Sequence, residues 1–143
     1  MILLDANLLL YAYDSASEHH NRAKRWLEQA FSGNEPVRIA WVTVLAFLRI
    51  STNYRAFESP FSIKQATSIV AEWLGHPLFS ILDPGERYWE IFRSLLTGNQ
   101  VSGPLVMDAD LATLAIKHGA VLYTTNRDFA RFPNLKMVNP IPM

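Results

Sequence analysis

Three aspartates and one asparagine have the residue types and the surroundings of a metal site. Asp5 ends a short apolar run at the start of the chain, and Asp128 and Asn126 lie just past a second apolar run near the other end. Asp108 precedes a segment with helical periodicity. Acidic and amide side chains just past buried strands lie where open α/β sheets keep their active sites. Because Mg²⁺ and Mn²⁺ prefer such oxygen ligands, the pattern indicates a metal site suited to phosphate chemistry.

Helix capping is the competing explanation for each of these aspartates. Asp5 and Asp108 could each begin a helix, where the dipole favours a carboxylate by roughly 0.3–1 kcal/mol. Asp128 could cap a turn. For a single aspartate, helix capping is the commoner role. Three carboxylates together at predicted strand ends favour a shared cation, because carboxylates that crowd together without a cation repel each other. The two roles are also compatible.

Short apolar runs alternate with amphipathic segments along the chain, which is typical of an α/β fold. The predicted strands are Ile2–Leu4, Val37–Ala40, Phe79–Leu82, Val121–Tyr123 and an edge strand at Lys136–Asn139. The predicted helices are Asn7–Tyr13, Glu18–Phe31 with Ser17 as N-cap, Thr43 (as N-cap) to Ile50, Ser62 (as N-cap) to about Leu74, Glu86–Leu96 and Ala109–His118. The sequence therefore predicts one domain over residues 1–143, with a central parallel sheet of about five short strands and helices on both faces. Right-handed crossovers place the carboxyl ends of all strands at one edge, which brings the aspartates together.

The composition limits the class of protein. Thirteen basic residues balance thirteen acidic ones, so any contact with nucleic acid must be local or assisted by a cation. There are no cysteines, which excludes disulfides, Cys–Zn sites and thiol catalysis. We expect a cytoplasmic protein without membrane spans, because no secretory signal and no sufficiently long apolar segment is apparent. The absence of glycine-rich phosphate-binding motifs disfavours a nucleotide-binding domain.

Four segments, taken in order, give a more specific indication. They are Leu3-Leu4-Asp5-Ala6-Asn7, Trp41–Thr52, Met107-Asp108-Ala109 with Leu111–Ala115, and Gly119–Phe129. With these segments the chain resembles the PIN domain family over its whole length, and more narrowly the VapC toxins of bacterial toxin–antitoxin pairs. The resemblance implies a PIN-like fold and cleavage of RNA that depends on Mg²⁺ or Mn²⁺. It also implies a homodimer restrained by a VapB-type antitoxin, whose tail enters the active-site groove.

The resemblance also assigns roles to individual residues. Asp5 and Asp108 match the principal metal-binding aspartates of the family, and Asp128 matches its last acidic position. Asn126 falls where many relatives carry aspartate and some carry asparagine. We therefore expect Asp5, Asp108 and Asp128 to be metal ligands and catalytic residues, with Asn126 assisting.

The chain departs from the family pattern at one position. PIN domains usually carry a glutamate on the helix after the second strand, and that position falls here on Ala46 or Phe47. Neither side chain binds a metal, so weaker metal binding or a one-metal site is a reasonable hypothesis. Asp110 is a poor substitute, because two residues along a helix from Asp108 is a different face. The alternative function is a weak or inactive PIN-fold module that binds RNA or protein without cutting.

Five further residues are candidates for supporting roles. Arg49, Arg127 and Arg131 could hold RNA phosphates, or they could pair with the aspartates or remain solvated. Asn7 could hold a metal-bound water, orient Asp5, or simply begin a helix. Thr43 could hydrogen-bond an acidic ligand, although the role of N-cap is commoner for threonine at such a position.

Overall fold

The computed structural model describes residues 1–142. Its strands are β1 (Ile2–Leu4), β2 (Val37–Ile39), β3 (Phe79–Ile81), β4 (Val121–Tyr123) and β5 (Met137–Val138). Its helices are α1 (Ala6–Tyr13), α2 (His20–Ser32), α3 (Trp41–Ser51), α4 (Ile63–Gly75), α5 (Tyr88–Gly98) and α6 (Leu105–His118), with a short 3₁₀ helix at Arg127–Arg131. Within the described residues, no helix is long and apolar enough to cross a membrane.

The five strands form one parallel sheet in the order β3-β2-β1-β4-β5. This confirms the predicted α/β fold, including the position of β5 at an edge. The chain adds β2 and β3 on one side of β1 and then crosses to add β4 and β5 on the other side. The strand order therefore reverses between β1 and β4, and a crevice opens there beyond the carboxyl ends of the strands.

Two hydrophobic cores hold β1 from opposite faces of the sheet. Ile2 and Leu4 belong to the core formed with α1, α2, α3 and α4, whereas Leu3 belongs to the core formed with α5 and α6. All three side chains are buried, and each such burial contributes roughly 1.5–3 kcal/mol. Strand β1 is thus fixed on both faces, and so is the position of Asp5 directly after it.

Two predicted N-caps are wrong, because one helix begins before the predicted cap and the other begins after it. Helix α3 begins at Trp41 with Ala40 as its N-cap, so Thr43 lies inside the first turn. The buried Thr43 hydroxyl instead donates to the carbonyl of Leu4 (3.3 Å). Helix α2 begins only at His20, and the Ser17 hydroxyl accepts from the backbone N–H of His19 (3.1 Å) in the preceding turn. By contrast, Ser62 caps α4 as predicted.

Helix α6 begins earlier than the sequence predicted. It starts at Leu105 with Pro104 as N-cap, and this places Asp108 in the first turn of the helix rather than directly before the helix. The predicted stop at Gly119 is confirmed, since Gly119 has a positive φ of 65° that suits glycine. Asp108 therefore enters the crevice from a helix N-terminus, whose dipole favours a carboxylate.

Candidate metal and phosphate site

A cavity of about 170 Å³ opens at the β1–β4 crevice. Residues from β1's carboxyl end, from α3, from α6 and from the segment after β4 line it. They are Asp5, Ala6, Asn7, Val42, Thr43, Ala46, Ile50, Met107, Asp108, Leu111 and Asn126. The structure therefore brings Asp5, Asp108 and Asn126 to one cavity, as the sequence predicted.

Asp5 is held in place by bonds to both of its carboxylate oxygens. Oδ1 accepts from the backbone N–H of Ala6 (2.7 Å), so Asp5 is the N-cap of α1 as well as a cavity residue. Oδ2 accepts from the hydroxyl of Thr124 (2.6 Å). Burial raises the pKa of Asp5, and these two hydrogen bonds partly oppose the rise. A carboxylate has about four acceptor sites, so Asp5 keeps capacity for a further ligand.

The pKa of Asp108 is raised both by burial and by neighbouring charges. Its pKa is raised to about 6, chiefly by burial and then by the negative charges of Asp5 and Asp128, while Arg131 lowers it. Asp5 and Asp128 are therefore close enough to Asp108 to raise its pKa. A cation between Asp5 and Asp108 would relieve the repulsion that raises this pKa.

Asp128 and Asn126 have different relations to the cavity. Asn126 lines it, and its side-chain oxygen also accepts from the backbone N–H of Asp128 (2.9 Å), which begins the 3₁₀ helix. Asp128 is exposed and does not line the cavity. Its influence on Asp108 nevertheless places its charge near the site. Its predicted role as a metal ligand remains a prediction.

Of the two positions that could match the family's glutamate, only Ala46 lines the cavity. Ala46 faces the cavity, whereas Phe47 is fully buried in the core against Tyr13 and Trp73. Asp110 does not fill the gap, since its carboxylate accepts a hydrogen bond from the hydroxyl of Tyr88 on α5. No side chain therefore replaces the missing carboxylate among the residues that line the cavity.

The predicted supporting residues divide into two groups. Asn7 and Thr43 line the cavity, but the Thr43 hydroxyl donates to a backbone carbonyl rather than to an aspartate. Arg49, Arg127 and Arg131 are exposed and lie outside the lining. Arg131 Nε donates to the carbonyl of Asp128 (3.1 Å), which keeps this arginine beside the site.

Sequence reasoning missed Thr124. Besides its bond to Asp5, the hydroxyl accepts from the backbone N–H of Asn126 (2.9 Å), so one buried side chain joins two cavity residues. The register explains the contact, because Leu4 pairs with Tyr123 and the next residues on the two strands are Asp5 and Thr124. The available signal was a hydroxyl directly after β4, but its use required knowing that β4 lies beside β1.

The donors present fit a hard divalent cation. Mg²⁺ commonly takes one or two protein carboxylates and completes its shell with water and phosphate oxygens. Asp5 and Asp108 supply two carboxylates, and Asn126 adds an amide oxygen to the same lining. Among residues 1–142, no group of three or more His, Cys, Asp or Glu side chains is arranged to hold a metal. The site is thus a two-carboxylate one, which fits a cation that also binds substrate oxygens.

Comparison with known proteins agrees with this fold and shows the family. A family model of the PIN domain matches residues 2–135. Ribonuclease VapC37 of Mycobacterium tuberculosis is 39% identical over 140 residues, which cover 98% of this chain and 97% of that protein. Ribonuclease VapC33 of the same species is 33% identical over 141 residues, covering 99% of each. The chain therefore belongs to the PIN domain family, and within it to the VapC ribonucleases.

Solved structures share the fold. The structure of VapBC2 from Rickettsia felis bound to a promoter DNA fragment matches with a TM-score of 0.71 and 24% identity, covering 97% of this chain and 98% of that one. Mycobacterium tuberculosis VapC20, described as a toxin that cleaves the sarcin–ricin loop, matches with a TM-score of 0.70 and 15% identity, covering 95% and 99%. At these identities the likeness concerns the fold alone.

Proposed function

We propose that this protein is the toxin of a type II toxin–antitoxin pair and that it hydrolyses phosphodiester bonds of RNA with Mg²⁺ or Mn²⁺ as its cofactor. The observation that carries the proposal is the convergence of Asp5 and Asp108 on one cavity, with the pKa of both carboxyls raised. The relatives named as ribonucleases over the full chain length support it.

The side chains of the site would have separate roles in binding the cation. Asp5 and Asp108 would hold the cation, with Asn126 at the same cavity and Asp128 close by. When bound, the cation supplies a Lewis acid that activates water and stabilises charge on the phosphate oxygens. Thr124 keeps Asp5 in one orientation by donating to Oδ2. The N-terminal turn of α6 supports the charge of Asp108.

Arginine side chains near the cavity would hold the phosphates of the RNA backbone. Arg49 and Arg127 are exposed, and their side chains make no hydrogen bond or ion pair within residues 1–142. Arg131 lies beside Asp128 through its bond to the backbone carbonyl. Guanidinium groups bind phosphate oxygens well, so these three arginines can hold phosphates near an otherwise acidic crevice.

The family also suggests partners and a compartment. Solved relatives with this fold include VapBC complexes, and we propose a cognate VapB-type antitoxin and a homodimer for this protein. A cytoplasmic location is the proposed compartment, in agreement with a chain that has no cysteine.

Ala46 supports a second candidate function. With no third carboxylate at that position, the protein could bind RNA or protein without cutting it. Purified protein with Mn²⁺ and a panel of structured RNAs separates the two functions. Cleavage that is lost in Asp5→Asn, and retained in the matched control Glu72→Gln on the exposed face of α4, supports the enzyme. Binding of RNA with no cleavage of any member of the panel supports the binding module.

A further inference from the structure

The cavity has two chemically different walls. The polar wall comes from the segments after β1 and β4 and from Asp108. The aliphatic wall comes from α3 and α6, through Val42, Ala46, Ile50, Met107 and Leu111. A hydrated cation and a phosphate contact oxygen atoms and gain nothing from aliphatic surface. The aliphatic wall therefore fits a different part of the substrate, one with apolar faces.

Asn7 adds a polar group without a partner to this cavity. Its side chain is partly buried and lines the cavity, yet it makes no hydrogen bond within residues 1–142. In particular, the bonds to the Asp5 carboxylate come from Ala6 and Thr124 and not from Asn7. A side-chain amide offers one acceptor and two donors side by side. This matches the edge of a nucleobase, which proteins read in single-stranded RNA by such pairs of hydrogen bonds.

We propose that this cavity binds the base next to the scissile phosphate, and that it selects a single-ring base over a two-ring base. Val42, Ala46 and Ile50 contact the face of the base, and the Asn7 amide reads its edge. The inference rests on the proposed ribonuclease function, because it places the base beside the phosphate held near Asp5 and Asp108.

The size of the cavity sets the preference for one ring. An aliphatic protein cavity of about 150 Å³ holds one benzene molecule. The cavity here is about 170 Å³, so its volume matches a single six-membered ring more closely than a fused purine. Ala46 is the residue that leaves this room, since a larger side chain at its position would fill the aliphatic wall.

The test is binding of mononucleotides, which requires no cleavage. CMP, UMP, AMP and GMP are titrated by isothermal calorimetry into the Mg²⁺-loaded protein, with ribose 5-phosphate as the base-free reference. We expect CMP and UMP to bind about tenfold more tightly than AMP, GMP and ribose 5-phosphate, the factor that one good base-edge contact gives. Asn7→Ala should remove this advantage and leave the affinity for ribose 5-phosphate unchanged.

Helix α3 offers a matched pair of variants. Ala46→Phe fills the aliphatic wall and should reduce binding of CMP and UMP to the level of ribose 5-phosphate. Leu45→Phe adds an aromatic ring at the neighbouring position, which is 63% exposed and outside the cavity, and should change nothing. Circular dichroism of each variant checks the fold, and Ile50→Ala provides a second probe, because a larger cavity should admit AMP and GMP.

Several results would overturn the inference. Equal affinity for all four nucleotides, affinity no better than that of ribose 5-phosphate, or a pyrimidine preference that survives both Asn7→Ala and Ala46→Phe would each contradict it. An RNA cleavage assay on the same preparation separates this failure from failure of the proposed function. Cleavage without base preference refutes the base site alone, whereas selective binding without cleavage refutes the enzyme and leaves the base site standing.

Discussion

Replacing Asp108 by asparagine should stabilise the metal-free protein at neutral pH while it removes activity. The pKa of this carboxyl is raised from 3.8 to about 6, so the folded protein holds its proton more tightly than the unfolded chain does. The stability contributed by the protonated form is fully present below about pH 4 and is lost as the pH rises through about 6. Above pH 6 the folded protein carries an ionised Asp108 beside Asp5 and Asp128, at a cost in free energy.

The expected gain in folding free energy follows from the same two pKa values. A rise from 3.8 to about 6 corresponds to about 3 kcal/mol. Asp108 is only partly buried, and solvent screening of such a carboxyl reduces the expected effect to about 1 kcal/mol. Asparagine keeps the shape of the side chain and removes the charge, so Asp108→Asn should gain about that amount at pH 7.5 and almost nothing at pH 4.

Urea denaturation in EDTA at the two pH values measures this difference. The control is Asp83→Asn, which changes an exposed aspartate in the loop after β3. Saturating Mg²⁺ should reverse the order of stability, because the wild type gains binding free energy that the variant loses. A variant that is less stable than the wild type in EDTA at pH 7.5 would refute the claim that Asp108 lies in a repulsive acidic cavity.

Four further changes test other parts of the site. Thr124→Val removes the bond to Asp5 and should cost about 1.5–3 kcal/mol in urea denaturation at pH 7.5; a cost below 0.5 kcal/mol, roughly that of a surface substitution, would contradict this role. Ala46→Glu places a third carboxylate at the cavity and should tighten Mn²⁺ binding about tenfold by calorimetry, and unchanged affinity would show that this side chain does not reach the ion. Asp110→Ala should leave Mn²⁺ affinity unchanged, because its carboxylate bonds to Tyr88; a large loss would make it a ligand after all. Arg127→Ala should lower the slope of log affinity for RNA against log salt by about 1, and an unaltered slope would exclude a phosphate contact.

The sequence was sufficient for the elements that depend on local pattern. Strand β1 is a run of three buried residues ended by an aspartate, and this pattern predicted both the strand and the position of Asp5. Gly119 and Ser62 marked helix ends by their own conformational and capping preferences. These signals are local, so they do not depend on which strands become neighbours.

The parts that were wrong or missed depend on tertiary contacts. Threonine is a common N-cap residue. The hydroxyl of Thr43 nevertheless donates to the carbonyl of Leu4, because α3 packs over the end of β1. Thr124 became recognisable only when β4 was placed beside β1. Helical periodicity alone did not show whether Ala46 or Phe47 faces the cavity. The structure was needed, because it places Ala46 in the cavity lining and Phe47 in the core.

The central claim is that Asp5 and Asp108 form the cation site of a ribonuclease. Calorimetric titration of Mn²⁺ into the purified protein tests it most directly. We predict saturable binding that Mg²⁺ competes for, that is lost in Asp5→Asn, and that is retained in Glu72→Gln. Equal Mn²⁺ affinity in the wild type and in Asp5→Asn would contradict the claim.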